Sequence, residues 1–87
     1  DKAALNRRLK RIEGQVKGIQ KMIEDDRYCV DILVQISAIR SAIDNVGTII
    51  LENHITGCVS NDLKYGDEEQ SEAAIKELMD TIKKFTK

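Results

Sequence analysis

From Tyr28 to about Tyr65 the sequence carries one apolar seam, and no proline occurs anywhere in the chain to break it. Ile32, Ile36, Ile39, Ile43, Val46 and Ile50 recur at alternating spacings of four and three, and Cys29, Leu33, Val34 and Ile49 widen the stripe. That is the period of one face of an α-helix. Gly47 weakens such a helix by about 1 kcal/mol without stopping it. Val59 and Leu63 carry the pattern past Gly57, so the helix is expected to reach about Tyr65, with Gly66 as its C-terminal cap. A helix this long cannot fold back on itself, and its apolar face needs cover from other elements.

The flanking segments offer two more helices. Leu5, Leu9, Ile12, Val16, Ile19 and Ile23 form a first seam, closed by the polar run Glu24-Asp25-Asp26. A third helix is expected to begin around Ser71 as N-cap, after an acidic loop, and to present Ile75, Leu78, Met79, Ile82 and Phe85. The fold class is therefore all-α, with three helices in a single domain spanning 1–87. A chain of this size buries only about 60% of the surface its unfolded form exposes, so a monomer would be marginal. Two copies packed antiparallel would form a four-helix bundle from the first two helices of each.

Composition narrows the function. Aromatics make up 3% of the chain, which leaves little for stacking on bases. Two cysteines do not read as a disulfide framework, and a reducing, cytoplasmic setting with free thiols is expected. No apolar run approaches the ~18 residues of a membrane span. The net charge of −1 conceals a basic first segment, with Lys2, Arg7, Arg8, Lys10, Arg11, Lys17 and Lys21 against Asp1 and Glu13. Asp67, Glu68, Glu69 and Glu72 supply the opposite sign further on.

Cys29, His54 and Cys58 are the soft and borderline ligands. His54 and Cys58 stand four apart, on one helical face about a turn from each other. Such a pair alone is more often chance than a metal site, and free cysteines are commonly small buried hydrophobes. Cys29 precedes His54 by 25 positions, roughly 37 Å along one helix at 1.5 Å per residue. One chain cannot gather all three, whereas an antiparallel partner can. Two thiolates and an imidazole suit a soft ion, three ligands suit trigonal Cu(I), and zinc usually takes a fourth.

The stretches Leu9-Lys10-Arg11-Ile12-Glu13-Gly14-Gln15, Tyr28-Cys29-Val30-Asp31, Gln35-Ile36-Ser37-Ala38 and His54-Ile55-Thr56-Gly57-Cys58 resemble the copper-sensitive operon repressor family over nearly the whole chain. The most specific part is the Cys…His-x-x-x-Cys fingerprint at Cys29, His54 and Cys58. The resemblance implies one Cu(I) bound across a dimer interface by these three residues, and an antiparallel helical dimer that pairs into a homotetramer. It also implies that Tyr28 and Glu77 hydrogen-bond near the non-coordinating nitrogen of His54. The plainer readings are a packing residue for Tyr28 and a solvated helix residue for Glu77.

By the same resemblance the partner is operator double-stranded DNA, bound when the protein is metal-free and released on Cu(I) binding. Arg7, Arg8, Lys10, Arg11, Lys17 and Lys21 would line the outer surface of the first helix, Arg40 would add to it from the second, and Arg8 is the strongest candidate. Taken alone, such a charge run is usually a solvated helix face. With no helix-turn-helix signal, contact would be mostly to phosphates. A sensor of persulfides and other reactive sulfur species, using Cys29 and Cys58, is the nearest alternative, but that chemistry has no need of His54. A copper-storage or chaperone bundle is the alternative of another class, and the one-sided basic helix argues against it. An enzyme is not expected, since the single histidine is already assigned and paired carboxylates are missing.

Overall fold

The computed structural model describes residues 1–86, and all of their regular structure is helical. Helix α1 spans Lys2–Glu24 and α2 spans Cys29–His54. A π-helical turn follows at Ile55–Val59, then α3 at Ser60–Tyr65 and α4 at Glu68–Phe85. Residues 1–48 form one compact unit and the residues from 49 onward another, with the division inside α2.

In the first unit, the Asp1 carboxylate caps α1 by accepting from the Ala3 N–H at 3.0 Å. The helix ends in a Schellman turn: Arg27 N–H donates to the Met22 carbonyl at 2.9 Å and Asp26 N–H to that of Ile23 at 3.2 Å. Asp26 takes φ 54°, the left-handed position usually given to glycine, which aspartate tolerates better than most residues. Ile12 and Val46 are the buried apolar residues of this unit. The rest of both seams is only partly covered, with Ile23, Leu33 and Val34 near 60% exposed (59%, 60% and 59%).

In the second unit, α4 packs on both α3 and the π-helical turn, and Val59 is the buried apolar residue. Two expectations change here. The second helical run does reach Tyr65, but it is not α-helical throughout, because Ile55–Val59 widens to i→i+5 bonding. The Thr56 hydroxyl donates back to the carbonyls of Glu52 at 3.0 Å and Asn53 at 3.4 Å, a type of bond that bends helices.

The last helix starts earlier than Ser71. Asp67 is its N-cap, in a reciprocal capping box with Gln70: Gln70 N–H donates to Asp67 Oδ1 at 2.8 Å and Asp67 N–H to Gln70 Oε1 at 3.0 Å. Glu68 and Glu69 thus belong to the first turn, where negative charge meets the positive end of the helix dipole. Ser71 instead donates its hydroxyl to the Asp62 carbonyl at 3.2 Å, tying α4 to α3. Gly66 does end α3, but with extended backbone (φ −81°, ψ 163°) rather than a left-handed cap. What it provides is room, since a Cβ there would lie 2.5 Å from the Asp62 carbonyl oxygen.

Candidate metal centre and nucleic-acid face

Cys29 is the first residue of α2 and His54 its last. Cys58 lies within the π-helical turn. Both cysteines are free and exposed, and His54 is half-buried. A helix of α2's length separates its ends by roughly 37 Å, and among the described residues no three His, Cys, Asp or Glu side chains are gathered into a metal-binding group. His54 and Cys58 are four positions apart, and Cys29 stands at the opposite end of α2. The two thiols and the imidazole form a donor set that fits a soft, low-coordinate ion.

Tyr28 immediately precedes α2, and its carbonyl accepts from the N–H groups of Asp31 at 3.0 Å and Ile32 at 3.3 Å. The residue is 67% exposed. Glu77 is exposed on α4, the helix that packs on the π-helical turn, and its side chain forms no hydrogen bond or ion pair among the described residues.

The basic residues of α1 from Arg7 onward divide into two groups. Lys10 and Lys17 stand seven apart on one stripe. Lys17 lies 3.8 Å from the Glu13 carboxylate, and Lys21, on the same side, lies 3.5 Å from Asp25. Both are exposed pairs of the kind that contributes little to stability. Arg7, Arg8 and Arg11 occupy the neighbouring face without carboxylate partners among the described residues, and with Ala4 they line a shallow recess of about 310 Å³. Arg8 and Arg11 also border a second recess, of about 260 Å³, completed by Ile12, Gln15, Ala42 and Asn45. Arg40 is exposed on α2 and lines neither. Sequence reasoning did not single out Gln15 or Asn45, because their significance depends on α1 and α2 meeting there.

The sequence model of a family described as metal-sensitive transcriptional repressor matches residues 1–84. The chain is 59% identical over 87 residues to the copper-sensing transcriptional repressor CsoR of Bacillus subtilis (strain 168), covering 100% of this chain and 83% of that protein. It is 43% identical over 82 residues to the copper-sensing transcriptional repressor CsoR of Mycobacterium tuberculosis (strain ATCC 25618 / H37Rv), covering 94% of this chain and 66% of that one. Among solved structures, the copper-sensing repressor CsoR with Cu(I) from Geobacillus thermodenitrificans NG80-2 matches with a TM-score of 0.87 at 53% identity, over 98% of this chain and 85% of that one. The nickel-responsive transcriptional regulator InrS matches with a TM-score of 0.80 at 36% identity, over 93% and 91% respectively.

Proposed function

Because the chain belongs to the metal-sensitive transcriptional repressors, we propose that it is a copper-responsive repressor, which holds operator DNA when metal-free and releases it on binding Cu(I). The observation that carries this reading is the donor set: two free, exposed thiols and the chain's single imidazole, with His54 and Cys58 one turn apart. It agrees with the copper-sensing relatives and with a solved relative that contains Cu(I). When bound, Cu(I) supplies a soft centre able to join thiolates and imidazole at low coordination number.

His54 and Cys58 of one protomer and Cys29 of its partner form the ligand set, because the length of α2 keeps Cys29 away from the other two within a chain. An antiparallel second copy supplies the missing cysteine and covers apolar residues such as Leu33, Val34 and Ile50, which are 60%, 59% and 53% exposed in the single chain. Fully burying each side chain of this kind contributes about 1.5–3 kcal/mol. The whole chain acts as one sensing domain, assembled as a homodimer that pairs into a tetramer. Tyr28 and Glu77 orient the His54 imidazole through its non-coordinating nitrogen, as outer partners of metal-bound histidines generally do.

A transcriptional repressor acts on DNA, and the basic face supplies the contact: Arg7, Arg8 and Arg11 at its centre, with Lys10, Lys17 and Arg40 around it. These exposed cations reach backbone phosphates, which fix position on the duplex more than they read sequence. Metal and DNA oppose one another through a coupling free energy, typically ~1–3 kcal/mol, and the effect is reciprocal. A persulfide sensor would need the thiols alone and would leave the half-buried His54 without a role. The deciding experiment is an anaerobic Cu(I) titration of the protein bound to a candidate operator. Release should be complete near one Cu(I) per chain, and a complex that survives saturation would refute the reading.

A further inference from the structure

The recess between α1 and α2 has a composition that a merely solvated basic face lacks. Its lining of Arg8, Arg11, Ile12, Gln15, Ala42 and Asn45 contains two guanidinium groups, two carboxamides and no carboxylate. Arg8, Arg11 and Gln15 stand three and four apart on α1, so they share one stripe of that helix. Ile12, only 6% exposed, is the buried apolar member of the lining. On α2 the short side chain of Ala42 leaves space beside Asn45. Neither arginine is paired with a carboxylate among the described residues, although Lys17 and Lys21 on the same helix are.

A second observation lies within the recess. Gln15 Oε1 is buried and has no hydrogen-bond partner. Leaving such an acceptor unsatisfied costs about 1–3 kcal/mol. A phosphodiester cannot satisfy it, since both groups only accept. A donor that lines the same recess is Arg11, one turn earlier on the same helix, whose guanidinium carries five N–H groups in a planar fork. Once one N–H is committed to Gln15, the remaining donors are held in a fixed direction rather than free in solvent.

We propose that this recess seats one backbone phosphate of duplex DNA, with Arg8 and Arg11 supplying the charge, Asn45 a neutral hydrogen bond, and Gln15 positioning Arg11. This rests on the reading of the chain as a DNA-binding repressor and adds two residues, Gln15 and Asn45, to the interface. A concave site favours a group that projects from the duplex, as phosphates do. Reading a base edge would require a carboxamide to protrude into a groove, whereas the Gln15 oxygen is buried and Asn45 borders the concave recess.

The test measures binding of the full chain to a fluorescein-labelled duplex of mixed sequence, by anisotropy, across a range of salt. Phosphate contacts do not depend on sequence, so a known operator is unnecessary. Arg11→Ala should lower the slope of log affinity against log salt by about 0.9. Asn45→Ala should weaken binding about fivefold, the value of one net hydrogen bond, and leave the slope unchanged because no counterion is involved. Gln15→Leu should weaken binding in the parent but have no further effect on Arg11→Ala, since it acts through that residue. Circular dichroism and sizing chromatography check that each variant folds and assembles. Because Asn45 is exposed, its variant remains a test even if Gln15→Leu misfolds. Parent-like binding by Asn45→Ala, full additivity of Gln15→Leu with Arg11→Ala, or a changed oligomeric state that accounts for the lost affinity would each overturn the phosphate seat alone. A parent protein with no salt-dependent binding would overturn both it and the repressor reading.

Discussion

His54 is the last residue of the α-helical stretch of α2, and Cys58, four positions on, sits inside the π-helical turn that follows. In an α-helix four residues slightly overshoot a full turn, whereas with i→i+5 bonding they fall slightly short of one. Both arrangements keep the two side chains on one side of the helix, so the pair survives the change in winding. Such turns are frequent at functional sites, and this one is also the surface on which α4 packs. If His54 and Cys58 hold the metal as proposed, movement of that pair would bear on the helix that carries Glu77.

If the metal site is shared between protomers, two crippled proteins should repair one another. Cys29→Ala and Cys58→Ala chains, each deficient alone, should regain half of the parent's tight Cu(I) capacity in a mixed dimer, which contains one intact site. An anaerobic titration against a competing chelator reads the capacity. A site built within one chain would show no recovery.

His54 is expected to matter more for releasing DNA than for retaining metal, because two thiolates can hold a soft ion without it. His54→Ala, and separately Glu77→Ala, should keep tight Cu(I) binding while losing most of the copper-induced drop in DNA affinity. Measuring DNA affinity with and without Cu(I) gives the coupling directly. Parent-like release by His54→Ala would remove the imidazole from the relay.

Arg8 borders both recesses on the basic face. Arg8→Ala should weaken DNA binding by the metal-free protein and lower the salt slope by about 0.9 for each phosphate that is no longer neutralised. Its Cu(I) affinity should equal the parent's. An unchanged slope with unchanged affinity would make this face merely solvated, and a copper-storage bundle would then be the better account.

The α3–α4 junction makes a prediction about stability. Asp67→Ala removes the capping box and should cost about 1 kcal/mol. Gly66→Ala forces a Cβ to within 2.5 Å of the Asp62 carbonyl oxygen, so the backbone must shift. Overpacking of this kind typically costs about 1–3 kcal/mol. Urea unfolding at one fixed protein concentration checks both, because the stability of an oligomer depends on concentration. Equal midpoints for Gly66→Ala and the parent would show that the turn yields without cost.

The helices and the apolar seams are legible in the sequence, because periodicity records which face is buried, and the candidate ligands stand out there because soft donors are chemically distinctive. The expectation that Cys29 and His54 lie too far apart to share a metal within one chain also comes from the sequence, since it uses helical rise alone. The start of α4 differs from the expected Ser71, although its signal is present: Asp67-x-x-Gln70 is a capping pattern, and treating Asp67, Glu68 and Glu69 as a loop neglects the preference of a helix N-terminus for negative charge. The π-helical turn has no such signal, because Thr56 and Gly57 are compatible with either winding and the surrounding bonds select one. Only the tertiary structure could bring Asn45 of α2 to the recess bordered by Arg8, Arg11 and Gln15. The sequence separates Arg8 from Asn45 by 37 positions, and no local periodicity reports which residues of two different helices will face each other.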